Sequence, residues 1–229
     1  MKVAELFFSI QGEGKLAGVP SFFVRASGCN LRCTWCDTNY ASWEPEGRDI
    51  LVGEILEAWR EHRAKHVVLT GGEPMIMTDI AELAAAFKTE NCHITIETAA
   101  TIYKPIQLDL ASLSPKLSNS TPWEREGGRF AEAHEKNRIN VPAIQKFIDT
   151  SPDFQLKFVV STEQDLIEID ELLVKLQGWQ PSDVLLMPEG IDIQTLQSRA
   201  DWIGEICKTR GFRYCPRLHV ELYGNKRGT

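Results

Sequence analysis

The chain has 229 residues, 43% hydrophobic and 25% charged, ordinary values for a soluble globular protein able to bury a sizeable core. Lys and Arg number 25 against 32 Asp and Glu, and the net charge of −7 argues against nucleic acid or an anionic membrane surface as the main partner. No apolar run approaches the roughly 18–20 residues that span a bilayer. MKVAELFFSIQGEG has neither an apolar core nor a small-residue cleavage site, so a single cytoplasmic domain over 1–229 is expected.

In chain order, VAELFF (Val3–Phe8) and SFFVRAS (Ser21–Ser27) predict short strands on either side of a Gly-rich turn. Ile50, Leu51, Ile55, Leu56 and Trp59 recur at helical spacing and predict a helix over Asp49–Arg63. HVVLT (His66–Thr70) predicts a buried strand stopped by Gly71 and Gly72, followed by a helix over Asp79–Lys88 and a strand over His93–Thr98. Gln107–Ser114 alternates and predicts a further strand, while 117–138 turns polar and predicts a long loop or insertion. Beyond it come a helix (Val141–Thr150), a strand (Leu156–Val160), a helix (Glu163–Gln177), a strand (Asp183–Met187), a helix (Gln194–Arg210) and the tail RLHVELYGNKRGT. Strands alternating with helices imply an α/β fold with a mostly parallel sheet. About six strands are too few for a closed eight-stranded barrel, so a partial, open barrel is expected, with its ligand site at the C-terminal strand ends.

Three of the six cysteines, Cys29, Cys33 and Cys36, follow one of those strands in the spacing Cys-x3-Cys-x2-Cys. Three soft ligands on one short loop can wrap an iron–sulfur cluster or zinc. Structural zinc and electron-transfer [4Fe–4S] sites usually close with four ligands, whereas three suit a cluster with one iron left open. Cys92, Cys207 and Cys215 are scattered and read as small buried hydrophobes. QGEG (Gln11–Gly14) is not followed by Lys-Ser/Thr and is no phosphate loop.

The cysteine spacing together with TGGEP (Thr70–Pro74) resembles the radical S-adenosylmethionine superfamily. A narrower resemblance, to the 7-carboxy-7-deazaguanine synthase family of 7-deazapurine (queuosine) biosynthesis, rests on FFSIQGEGKLAGVPSFFVRASGCNLRCTWCDT. It continues through TGGEP, IET, SPK, LKFVV, LMPEG and HVELYGNKRGT. The resemblance implies a lyase that converts 6-carboxy-5,6,7,8-tetrahydropterin to 7-carboxy-7-deazaguanine and ammonia. A 5′-deoxyadenosyl radical would take hydrogen from C6 before ring contraction, and S-adenosylmethionine would be regenerated. It also implies a [4Fe–4S] cluster on Cys29, Cys33 and Cys36, Mg²⁺ on Thr38, a homodimer, and an external electron donor such as a flavodoxin.

Carried over residue by residue, the resemblance assigns Ile10, Gln11, Gly12, Glu13, Arg25, Thr70 and Glu97 to the pterin. Arg25, a charge on an apolar strand, would pair with the substrate carboxylate. Trp35, Cys36, Asp37, Gly72, Glu73, Ser114, Pro115, Lys116, Leu186, Met187, Pro188 and Glu189 fall to S-adenosylmethionine, with Glu73 an acceptor for its ammonium and the paired glycines a close backbone approach to it. A single Thr hydroxyl is a weak magnesium site, so substrate carboxylate and water would supply most of the coordination. Ala99 and Ala100 depart from the family pattern after IET. Two other readings compete: a glycyl-radical enzyme activase, which would consume S-adenosylmethionine on a protein partner, and a non-catalytic zinc-stabilised binding module.

Overall fold

Alternation along the strands decides what each side of the central sheet carries. The computed structural model describes all 229 residues. An antiparallel pair, β1 (Lys2–Ile10) and β2 (Pro20–Ala26), is flanked by the two-residue β3 (Arg48–Asp49) on β1. From β2 onward the strands run parallel: β4 (His66–Gly71), β5 (His93–Thr98), β6 (Leu110–Leu113), β7 (Asp153–Val160), β8 (Val184–Pro188) and the short β9 (Arg213–Tyr214). The order is β3-β1-β2-β4-β5-β6-β7-β8-β9, so the sheet stays open between β3 and β9. Its parallel body is the expected one, with two short edge strands added.

On the outer face, Phe22, Val24, Val67, Leu69, Ile94, Ile96, Phe158 and Leu186 join one continuous buried cluster. It is completed by Ile55 and Trp59 of α1 (Val52–Arg60), Leu83 and Phe87 of α2 (Ile80–Thr89), and Ile144 and Phe147 of α4 (Val141–Thr150). Ile169 of α5 (Asp165–Leu173) and Ile203 of α6 (Ile193–Arg210) close it. Each such side chain contributes about 1.5–3 kcal/mol on burial. The alternate residues, on the inner face, are of another kind: Arg25, Thr70, Glu97, Ser112, Lys157, Val159 and Met187. That face holds the site.

Several boundaries differ from the sequence reading for local reasons. The first helix starts at Val52 rather than Asp49, because Arg48 and Asp49 pair with β1 and the Ile50 N–H donates to Met1 O. Glu54 then accepts the Leu51 N–H at 2.8 Å, which fixes the helix start. The helix ends at Arg60, short of Arg63, whose φ of 50° is left-handed. Segment 117–138 is not a plain loop, since it carries α3 (Ala131–Asn137), anchored by the buried Ala131 and His134. The tail forms α7 (Leu218–Tyr223), held by the buried Val220.

Candidate active site

Two adjoining cavities open at the C-terminal ends of the parallel strands. They share a wall made of Glu13, Asp37, Thr38, Thr70, Gly71 and Glu97. Each is lined by the inner-face residues of the strands beneath it.

The first cavity is lined by Cys29, Cys33, Cys36, Trp35, Gly72, Ser114, Lys116, Val159 and Met187, among others. The cysteines sit on the irregular loop after β2, whose backbone is clamped to the end of β4. The Gly72 N–H donates to Ala26 O at 3.1 Å, and the Glu73 N–H to Gly28 O at 2.9 Å. A Cβ on Gly72 would lie 2.3 Å from Gly28 O and 2.4 Å from Ala41 O. The glycine pair therefore serves first to let β4 meet the cysteine loop, rather than only to admit a ligand. Burial pushes the Cys29 thiol up to about 11 and the Cys33 thiol up to about 12.

No three His, Cys, Asp or Glu side chains lie close enough together to hold a single metal ion, the three cysteines of the loop included. His134, which touches the loop, has both ring nitrogens engaged, at Arg32 N–H and Ser120 Oγ, and so is not free as a fourth ligand. Three soft donors facing one cavity fit a cluster with an open iron better than closed zinc.

The other residues assigned to S-adenosylmethionine divide by strand parity and by partner. Lys116 donates to Ser114 O and Oγ at 2.8 and 2.7 Å, and both residues line the cavity, while Pro115 does not. Of Leu186 to Glu189, only Met187 lines it: Leu186 belongs to the outer core, and Glu189 pairs with Arg199 at 2.7 Å. Glu73 also turns away from both cavities. Its carboxylate is fully buried and already accepts from Met75 N–H (3.0 Å), Thr98 Oγ1 (2.6 Å) and Ala99 N–H (2.9 Å). Burial pushes its pKa up. The Glu73 side chain, expected to accept a ligand ammonium, lies outside both cavities and braces the turn after β4 against β5.

The second cavity is polar, lined by Ile10, Gln11, Gly12, Arg25, Arg217, His219 and the tail residues Asn225 and Thr229, with Phe7 and Phe23. Arg25 Nε donates to Glu5 at 3.0 Å, and the guanidinium lies 5.3 Å from the Phe7 ring. Its two terminal nitrogens have no protein partner, a fork suited to a carboxylate. Gln11 Nε2 donates to Glu97 Oε1 at 3.0 Å, and Thr70 Oγ1 to Glu97 Oε2 at 2.9 Å, so Glu97 is oriented from two sides.

A largely buried ion network runs through the shared wall. Glu13 pairs with Lys157 and, at 3.1 Å, with Arg217, which also binds Asp37 and donates to Gly190 O at 2.5 Å. Burial alone would raise the Glu13 carboxyl, but Lys157, Arg217 and His219 outweigh it and hold it well below the usual carboxylate range. Asp37 is likewise opposed by burial and lowered chiefly by Arg217. Lys157 and Arg217 were not anticipated from the sequence, although Lys157 carries a readable signal as the lone charge in LKFVV. Arg217 carries none. His219 packs on Gly12, where a Cβ would lie 1.9 Å from its Nδ1.

The radical SAM superfamily signature matches residues 23–113, which contain the cysteine loop and TGGEP. A 7-carboxy-7-deazaguanine synthase from Rhodopirellula baltica is 42% identical over 99% of this chain and 88% of its own length. One from Halobacterium salinarum is 42% identical over 98% of this chain and 91% of its own. Among solved structures, QueE from Escherichia coli superposes with a TM-score of 0.71 at 25% identity, over 95% of this chain and 94% of that one.

Proposed function

The chain belongs to the 7-carboxy-7-deazaguanine synthase family of radical SAM enzymes, and on that premise we propose a role for each cavity: the first for the [4Fe–4S] cluster and S-adenosylmethionine, the second for 6-carboxytetrahydropterin. The reaction is the family's lyase reaction, yielding 7-carboxy-7-deazaguanine. The observation that carries the division is the shared wall, with three thiols on one side and the unpaired fork of Arg25 on the other. When bound, the cluster and S-adenosylmethionine supply hydrogen abstraction.

The chain's own residues bind, orient and shield. Arg25 takes the substrate carboxylate in a bidentate pair. Glu97, held by Gln11 and Thr70, keeps lone pairs for pterin N–H groups, and Glu13, held anionic by Lys157 and Arg217, offers more. Trp35, Val159 and Met187 give the cofactor an apolar wall that excludes water. With Asp37 taken by Arg217, Thr38 is left as a weak magnesium ligand, so Mg²⁺ would depend on substrate oxygens and water. Ser114 and Lys116, on the rim beside the cysteines, contact S-adenosylmethionine. A homodimer and an external electron donor complete the proposal, and no helix is long and apolar enough to cross a membrane.

The activase reading gives way to relatives that carry the synthase name over nearly the whole chain. The test is anaerobic turnover of the reconstituted enzyme with dithionite, S-adenosylmethionine, Mg²⁺ and 6-carboxytetrahydropterin. Many equivalents of 7-carboxy-7-deazaguanine per S-adenosylmethionine consumed are expected. Cleavage of S-adenosylmethionine without deazapurine would remove the pterin from the second cavity.

A further inference from the structure

Segment 117–138 has no part in either cavity's ligand chemistry beyond its junction with β6, yet it grips the cysteine loop. His134, 1% exposed on α3, accepts the backbone N–H of Arg32 at its Nδ1, 3.0 Å away. Arg32 directly precedes Cys33. A donor at Nδ1 fixes the tautomer: the ring proton sits on Nε2 and donates to Ser120 Oγ at 2.9 Å, and that hydroxyl donates to Leu117 O at 2.6 Å. Ser120 also lends its carbonyl to the Thr34 N–H at 2.7 Å, and Trp35 Nε1 donates to Asn119 O at 3.1 Å. Three nearby loop positions are thus tied to one segment, through the buried Ser120 and His134 and through Asn119. The loop has no regular structure of its own to fix the spacing of its thiols.

We infer that His134 is a positioning residue for the iron–sulfur loop, setting the conformation in which Cys29, Cys33 and Cys36 share one centre by accepting the Arg32 N–H. The inference rests on the cluster reading above. It separates the two hydrogen bonds of the ring. An Asn side chain at 134 can put a carbonyl where Nδ1 stands and keep the loop anchor, a Gln reaches toward Ser120 instead, and an Ala makes neither bond.

The test reconstitutes wild type, His134→Asn, His134→Gln and His134→Ala anaerobically. It reads iron and sulfide per chain, the electron paramagnetic resonance spectrum of the reduced cluster, and the rate of iron loss to a chelator. Apoprotein melting is followed in parallel. Wild type and His134→Asn should hold iron alike, while His134→Ala and His134→Gln lose it about 10-fold faster, the usual penalty for an outer-sphere partner. The inference is overturned if His134→Ala retains iron like wild type. It is equally overturned if His134→Asn fails along with Ala while its apoprotein melts like wild type. Failure of wild type to take up iron and sulfide would overturn the cluster reading instead, and the inference with it.

Discussion

The two cavities share a wall but are made in different ways. The first draws most of its chemistry from two contiguous stretches, the cysteine loop and the turn after β4, clamped together by backbone hydrogen bonds. The second is assembled across the chain: Arg217 reaches Glu13 from 204 positions away, and Gln11 reaches Glu97 from 86. Ligands that must surround one centre need short, fixed spacing, and spacing is written locally. A polar pocket needs only complementary charge at the end of a long fold, and that is not. The first cavity should therefore fail by losing its cofactor, and the second by losing substrate or stability.

The largest effect should follow from breaking the first cavity at its centre. Cys33→Ser removes a soft ligand, and iron content and turnover should both fall below detection while apoprotein melting stays near wild type. Retention of activity would mean that the loop does not hold the cluster.

Breaking the shared wall at Glu13 should cost stability instead. Glu13→Gln leaves Lys157 and Arg217 buried without their shared carboxylate, a loss of about 3–5 kcal/mol in urea unfolding. A change under about 1 kcal/mol would show that the network is not held by Glu13. Arg25→Gln acts on the ligand rather than on the fold. It should weaken 6-carboxytetrahydropterin binding about 10–100-fold, the worth of a charged hydrogen-bonded pair, and leave S-adenosylmethionine affinity unchanged. Equal loss of both ligands would merge the two cavities into one.

A smaller effect sharpens the contrast from outside both cavities. His66, at the start of β4, is buried between Ser21 and Thr95 at 2.7 Å each, and burial pushes its pKa down to about 4 from 6.5. His134 is lowered to the same level, again by burial. Because the unfolded chain takes up these protons first, their contribution is complete above about pH 6.5 and is lost as pH falls towards 4. Glu13 and Asp37, whose pKa values are depressed, lose theirs only below the ordinary carboxylate range. Urea unfolding across this range should show the histidine loss first, and His66→Asn should flatten that first part.

Much of this was legible in the sequence, for identifiable reasons. Glu97 came only with the IET resemblance, whereas Arg25 in SFFVRAS stood out as a lone charge on an apolar strand, and both emerge on the inner face. The same signal marked Lys157, whose function no neighbouring motif announced. Glu73 was legible as part of TGGEP, but the spacing could not reveal that Thr98 and Ala99 would claim its carboxylate. Leu186 and Met187 are adjacent in one motif, yet strand parity sends them to opposite faces. Arg217 lay in a tail without periodicity, and only the closure of α7 over the Gln11–Glu13 turn, with the Leu218 N–H on Gly12 O, brings it to its partners. The helix in 117–138 was masked by its polar composition, since only Ala131 and His134 of α3 are buried.

An anaerobic crystal structure of the reconstituted protein with S-adenosylmethionine and 6-carboxytetrahydropterin tests the two-cavity account most directly. The account predicts the cluster on Cys29, Cys33 and Cys36 with S-adenosylmethionine against Met187 and Val159, and the pterin carboxylate on the fork of Arg25. A pterin carboxylate bound elsewhere, with Arg25 left on Glu5 alone, would contradict it.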